Sequence, residues 1–189
     1  MYYNIDSYLN EVSQICKHIS RNDIIRFIDE IKTIKDNKGR LFFIGVGGSA
    51  GNASHAVNDF RKILGIESYA ITDNVSELTA RINDNGWDTS YSDWLKVSNL
   101  SSKDAIIVFS VGGGTKDTSY NIVKAVDLAK SVKSKILSIV SRDGGHTRIL
   151  SDVCIMIPNV NSNRITPHAE EWQTILWHLI VTILTASQS

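Results

Sequence analysis

Five short apolar runs constrain this chain more than anything else in it: Leu41 to Ile44, Ser68 to Ile71, Ala105 to Phe109, Ile136 to Val140 and Val153 to Ile157. Each is four or five residues long and lacks polar alternation, the pattern of strands covered on both faces. Such strands belong to a parallel sheet, and parallel neighbours need a crossover between them. Helical patterns at Ala50 to Leu64, Asp117 to Lys130 and Thr147 to Leu150 supply crossovers. The expected class is therefore α/β, a three-layer doubly wound parallel sheet.

Before the first run, apolar positions recur at helical spacing: Leu9, Val12, Ile15, Cys16 and Ile19, then Ile24, Ile25, Phe27, Ile28 and Ile31. Two helices with a break near Asn22 are expected. After the last run, Ala169 to Ala186 reads as a long helix that is apolar nearly all round, which predicts burial against a partner subunit as well as its own core.

At 189 residues and 42% hydrophobic, the chain fills one core and is short for two enzyme domains. Its 20 basic and 20 acidic side chains cancel. No long-range positive field gathers nucleic acid or an anionic membrane, so an anion has to be bound by local geometry. No apolar stretch approaches about 18 residues, and Met1 to Val12 has no basic segment leading into an apolar run, so neither a membrane partner nor export is expected. Cys16 and Cys154 lie far apart in apolar stretches, which predicts reduced core thiols and a cytoplasmic location.

In doubly wound sheets, ligands collect at the carboxyl ends of the strands, where helix N-termini present free N–H groups. Gly45-Val46-Gly47-Gly48-Ser49 directly follows a strand and opens a helix, so its glycines admit an anion close to the backbone and Ser49 adds a hydroxyl. Ser110-Val111-Gly112-Gly113-Gly114-Thr115 repeats glycines and hydroxyls after the next long strand. A third loop, Ser141-Arg142-Asp143-Gly144-Gly145, reads as a turn at least as well as a binding loop. Neither Gly-rich loop has the spacing of a P-loop or of a dinucleotide fingerprint, so no nucleotide cofactor is expected and a small phosphate ester fits better.

Polar residues at helical spacing offer chemistry. His55 and Asp59 are four apart and share a face, where they could be metal ligands, a base with its orienting partner, or plain surface residues. Glu170, Glu171 and His178 lie on the last helix. His178 interrupts the apolar run Ile175 to Leu184, as a functional group or as a satisfied buried histidine would.

Taken in order, Gly-x-Gly-Gly-Ser, His55-x-x-x-Asp59, the Ser110 loop, Asp143-Gly144-Gly145 and the Glu170 to His178 helix resemble the SIS-domain phosphoheptose isomerases, a flavodoxin-like family. The similarity runs from about Leu41 to Leu184. It implies a single SIS domain over 1–189, with helices in 1–38 for oligomer packing and a sugar-phosphate isomerase core over 41–187. The implied reaction converts D-sedoheptulose 7-phosphate to D-glycero-D-manno-heptose 7-phosphate in bacterial heptose synthesis, for lipopolysaccharide or capsule. Substrate contacts would come from Val46, Gly47, Gly48, Ser49, Ser110, Val111, Gly112 and Thr115, from the Asn83-Asp84 pair, and from Asp59 and Glu170. The resemblance also implies one zinc ion on His55, Asp59, Glu170 and His178, with Glu171 as the neighbouring alternative to Glu170. A homotetramer with shared sites follows from it too, Asp59 and His178 of one site being drawn from different chains.

The departures are specific. Val46 stands where the family usually has Asn, Asp59 where it has the catalytic Glu, Glu170 where it has Gln, and Ser110-Val111-Gly112-Gly113 where it has Ser-Thr-Ser-Gly. Asp59 is expected as the base and His178 as the acid of an enediol mechanism. Two other readings share these residues: a non-catalytic protein-interaction module, and an isomerase of another ketose phosphate.

Overall fold

The computed structural model describes residues 4–186, so the outermost residues of the expected 1–189 domain, and residue 187 at the end of its expected core, lie outside the described residues. Helices α1 (Asn4–His18) and α2 (Arg21–Asp36) precede the sheet. The break between them falls at Ser20 rather than Asn22, because the Ser20 hydroxyl accepts the Asp23 N–H at 3.2 Å and caps α2.

The apolar runs become strands β1 (Leu41–Ile44), β2 (Ser68–Ala70), β3 (Ala105–Ser110), β4 (Lys135–Val140) and β5 (Val153–Met156). All pairings are parallel and the order is β2-β1-β3-β4-β5. Every residue of β1 and β3 is buried, as strands covered on both faces must be. Alternation along β1 sends Leu41 and Phe43 into one cluster with Phe27, Phe60 and Leu176, and Phe42 and Ile44 into another with Tyr91, Ile106 and Ile122. The sheet is thus the middle of three layers.

The connecting helices are α3 (Gly48–Lys62), α4 (Val75–Asn85), α5 (Ser90–Val97), α6 (Tyr120–Ser131), α7 (Gly145–Leu150) and α8 (Ile165–Ala186). Helices α4 and α5 are additions to what periodicity predicted. Helix α4 fully buries no residue: its short apolar stripe, Val75, Leu78 and Ile82, is only partly covered, with Leu78 packed against the core. Helix α8 starts four residues ahead of Ala169, after a single 3-10 turn at Ser162–Arg164, so part of the expected Asn159 to His168 loop is helical. Its outward face keeps Ile175, Leu179 and Ile183 about two-fifths exposed.

The expectation of two core thiols is corrected: Cys16 is exposed and Cys154 half-buried, both unpaired. Helix α1 buries Glu11 and Ile15, and Cys16 lies about 100° round the helix from Ile15. Among the described residues, no helix is long and apolar enough to cross a membrane.

Candidate active site

With the order β2-β1-β3-β4-β5, the direction of winding reverses between β1 and β3, and the crevice beyond their carboxyl ends is where such sheets take ligands. The Gly45 to Ser49 loop leaves β1 and the Ser110 to Thr115 loop leaves β3, so the two Gly-rich loops face each other across that point. Between them lies a cavity of about 240 Å³. Ser49, Ser110, Thr115, Thr118 and Ser119 give it hydroxyls, Val46 and Val111 an apolar side, and Gly112 bare backbone. Among the described residues, Arg142 supplies its one charged side chain and no carboxylate lines it.

Contacts from outside the cavity fix the shape of the loops. The fully buried Tyr91 donates its hydroxyl to the Gly45 carbonyl at 2.7 Å, and burial pushes its pKa up to about 12, keeping it a donor. The Ser110 hydroxyl accepts the Gly113 N–H at 3.0 Å, leaving its own proton to donate to a ligand. The third loop is locked into the second. Gly113, at φ 71°, lies so close to Gly144 that a Cβ would come within 1.9 Å of that residue's carbonyl oxygen. A Cβ on Gly145 would meet the Gly112 oxygen at 2.3 Å. Thr147 then donates its hydroxyl at 2.6 Å and its N–H at 3.0 Å to the Gly113 carbonyl. The Asp143-Gly144-Gly145 segment is therefore a brace for the second loop.

The acid–base candidates lie on α3 and α8, which run side by side in the same direction. Asn52 donates to the Glu170 carbonyl at 2.9 Å and to Gln173 Oε1 at 3.0 Å, and accepts from Thr174 at 3.0 Å. Further along, His178 Nε2 stands 3.9 Å from Asp59 Oδ2. The His55 ring is 5.6 Å from that of His178 and 4.8 Å from that of Trp177. The structure thus brings His55, Asp59 and His178 of one chain together on an exposed helix face, which corrects the expectation that Asp59 and His178 of one site are drawn from different chains.

Glu170 is elsewhere. Its carboxylate rests on Gly48, with Oε2 at 2.5 Å from where a Cβ would be, and it is about 12 Å along α8 from His178. Glu171 accepts from the Tyr8 hydroxyl and lies 3.4 Å from His168 Nδ1. Two imidazoles and carboxylates suit zinc by donor type, but among the described residues no group of three or more His, Cys, Asp or Glu is spaced to hold a metal ion. The four-residue set does not fit a metal shell within one protomer. Asn83 and Asp84 are exposed at the end of α4, hydrogen-bonded to each other at 2.9 Å, and do not line the cavity.

Sequence reasoning missed Tyr91, Thr118 and Ser119, and placed Arg142 in a loop that read as a turn at least as well as a binding loop. Tyr91 had no motif to mark it; Thr118 and Ser119 fell inside an expected helix that starts three residues later than predicted, at Tyr120.

A doubly wound sheet with two hydroxyl-bearing glycine loops at its switch point, and an imidazole–carboxylate pair on the flanking helices, defines a phosphosugar isomerase of the SIS type. No family model matches the chain. It is 30% identical to phosphoheptose isomerase from Helicobacter pylori over 152 residues, 77% of this chain and 73% of that one. It is also 30% identical to phosphoheptose isomerase from Sulfurimonas denitrificans over 186 residues, 96% of this chain and 83% of that one. The solved phosphoheptose isomerase of Neisseria gonorrhoeae shares the fold at a TM-score of 0.83 and 22% identity, over 96% of both chains. The chain belongs to the phosphoheptose isomerase family.

Proposed function

We propose that this enzyme converts D-sedoheptulose 7-phosphate to D-glycero-D-manno-heptose 7-phosphate through an enediol, in bacterial heptose synthesis. The observation that carries the reading is the facing of His178 and Asp59 at 3.9 Å. An aldose–ketose isomerisation needs one base and one acid within reach of adjacent carbons. Asp59 takes the proton from C1 while His178 donates to the C2 carbonyl oxygen; with the roles reversed, the proton returns at C2 and the carbonyl forms at C1. The His178 Nδ1, 3.0 Å from the Thr174 carbonyl, donates there and aims Nε2 at the substrate, where it gives its proton when both ring nitrogens carry one and takes one back when it is bare. The loop hydroxyls and backbone N–H groups hold the phosphate, turning remote binding into positioning of C1 and C2.

Distance supports a shared site. Asp59 is about 16 Å along α3 from Gly48, beyond the reach of an extended seven-carbon phosphate ester. The loops of one protomer therefore serve the Asp59 and His178 of another, and the exposed Ile175, Leu179 and Ile183 around His178 suit subunit packing in a tetramer. Glu170, resting on Gly48, is the carboxylate that a chain brings to its own loops.

The zinc reading is carried by donor type alone. Zinc per protomer, measured by atomic emission for the wild type and for His55→Ala, tests it. Two unpaired cysteines support a reducing, cytoplasmic setting. Val46 on the cavity wall favours a second substrate reading, another ketose phosphate. Incubation with sedoheptulose 7-phosphate beside shorter ketose phosphates decides: turnover fastest on the seven-carbon ester is expected, and no isomerisation of any of them overturns the enzyme reading.

A further inference from the structure

Every arginine of the chain except Arg142 is held by a carboxylate or a main-chain carbonyl. Arg142 has no hydrogen bond or ion pair among the described residues, yet it carries the only charge on the lining of the glycine-loop cavity. The acid beside it is occupied: Asp143 Oδ1 accepts the Gly145 N–H at 3.1 Å and so closes the turn. Arg142 also holds φ at 51°, a left-handed conformation that a bulky residue adopts only against steric resistance. That backbone carries the side chain over the second loop, with Cδ 3.7 Å from the Cβ position of Gly112. A strained, unpaired guanidinium over a cavity of hydroxyls lacks only an anion.

We propose that Arg142 is the phosphate clamp of this site, the residue that makes the cavity select a phosphate ester over a neutral sugar. The inference deepens the sugar-phosphate reading and rests on it for the substrate, but not for the anion. Hydroxyls and backbone amides can surround a phosphate without offsetting its charge; a guanidinium offsets the charge and binds two oxygens at once. A plain turn arginine in the same place would be indifferent to phosphate, and glycine would suit its φ better.

Titration calorimetry with inorganic phosphate on the full chain tests this, using Arg142→Gln, Arg142→Lys and Arg142→Gly beside the wild type. Arg142→Gln is expected to bind phosphate about 10- to 100-fold more weakly and to lose most of the salt dependence. Arg142→Lys keeps the charge and recovers part of the affinity. Arg142→Gly melts at a higher temperature than the wild type, because the strain is relieved, while binding phosphate as poorly as Arg142→Gln. In turnover the loss falls on KM rather than kcat, as for a group that grips substrate and transition state alike. Phosphate affinity in a folded Arg142→Gln protein within about twofold of wild type overturns the proposal. If the wild type isomerises no sugar phosphate but loses phosphate binding with Arg142, the clamp stands and the isomerase reading falls. If it isomerises and the variant binds phosphate normally, only the clamp falls.

Discussion

Nε2 of His178 lies 3.9 Å from Oδ2 of Asp59, while Nδ1 of the same ring is fixed 3.0 Å from the carbonyl of Thr174, one turn back on α8. The second contact fixes the orientation of the ring, and Nε2 serves as the acid when it carries a proton as well as Nδ1. His178→Ala is expected to lower kcat by about 10²- to 10⁴-fold with phosphate affinity unchanged, and Asp59→Asn to do the same. The double variant should lose little more than either single one, since acid and base act as a unit. Steady-state kinetics beside phosphate calorimetry checks this; wild-type turnover in His178→Ala removes the assignment.

Two glycines in the loops should respond oppositely to alanine. The atoms nearest a Cβ on Gly48 belong to the movable carboxylate of Glu170, and alanine favours the helix that starts there, so Gly48→Ala should change stability by less than about 1 kcal/mol. At Gly113 the obstacle is the Gly144 backbone oxygen at 1.9 Å, with φ at 71°. Gly113→Ala should cost about 2–4 kcal/mol. Chemical denaturation of both variants gives the comparison.

Removing the Tyr91 hydroxyl leaves the Gly45 carbonyl buried without its donor. Tyr91→Phe should lose about 1–3 kcal/mol and raise KM, because the loop it anchors holds the substrate. Denaturant midpoints and initial rates measure the two effects separately.

Glu11 is held down to about 2 from an ordinary value of 4.5, first by its hydrogen bond with His168, then by those from Asn161 and Arg164. A depressed carboxylate adds stability that is present above its unfolded value and is lost as pH falls through the folded one. Melting temperature should therefore drop between about pH 4.5 and pH 2 in the wild type, and drop less steeply over that window in Glu11→Gln. Equal slopes in the two proteins contradict the assignment.

What the sequence made legible was whatever is local. Unbroken apolar runs announced the strands, and the spacing from His55 to Asp59 announced a shared helix face. Side chains whose role depends on a distant partner stayed silent. Tyr91 is 46 residues from Gly45, and Glu11 occupies a buried position on α1 only because His168 reaches it from the start of α8 and Arg164 from the 3-10 turn before it. Cys16 was misread for the same reason: with Glu11 inward, the apolar neighbours of α1 do not define its buried face. Arg142 became visible only once every other arginine was seen to be engaged.

The lock between Gly113 and the Gly144–Gly145 pair has a kinetic meaning. Loops whose carbonyls already accept from the N–H groups of Ser141, His146 and Thr147 have little ordering left to do when an anion arrives. Phosphate capture should then behave as a single diffusive encounter with a finished cradle, with an association rate set by collision and charge rather than by a slow closing step. The two loops should also change in step over evolutionary time: a bulkier residue in one has no room unless the other gives way.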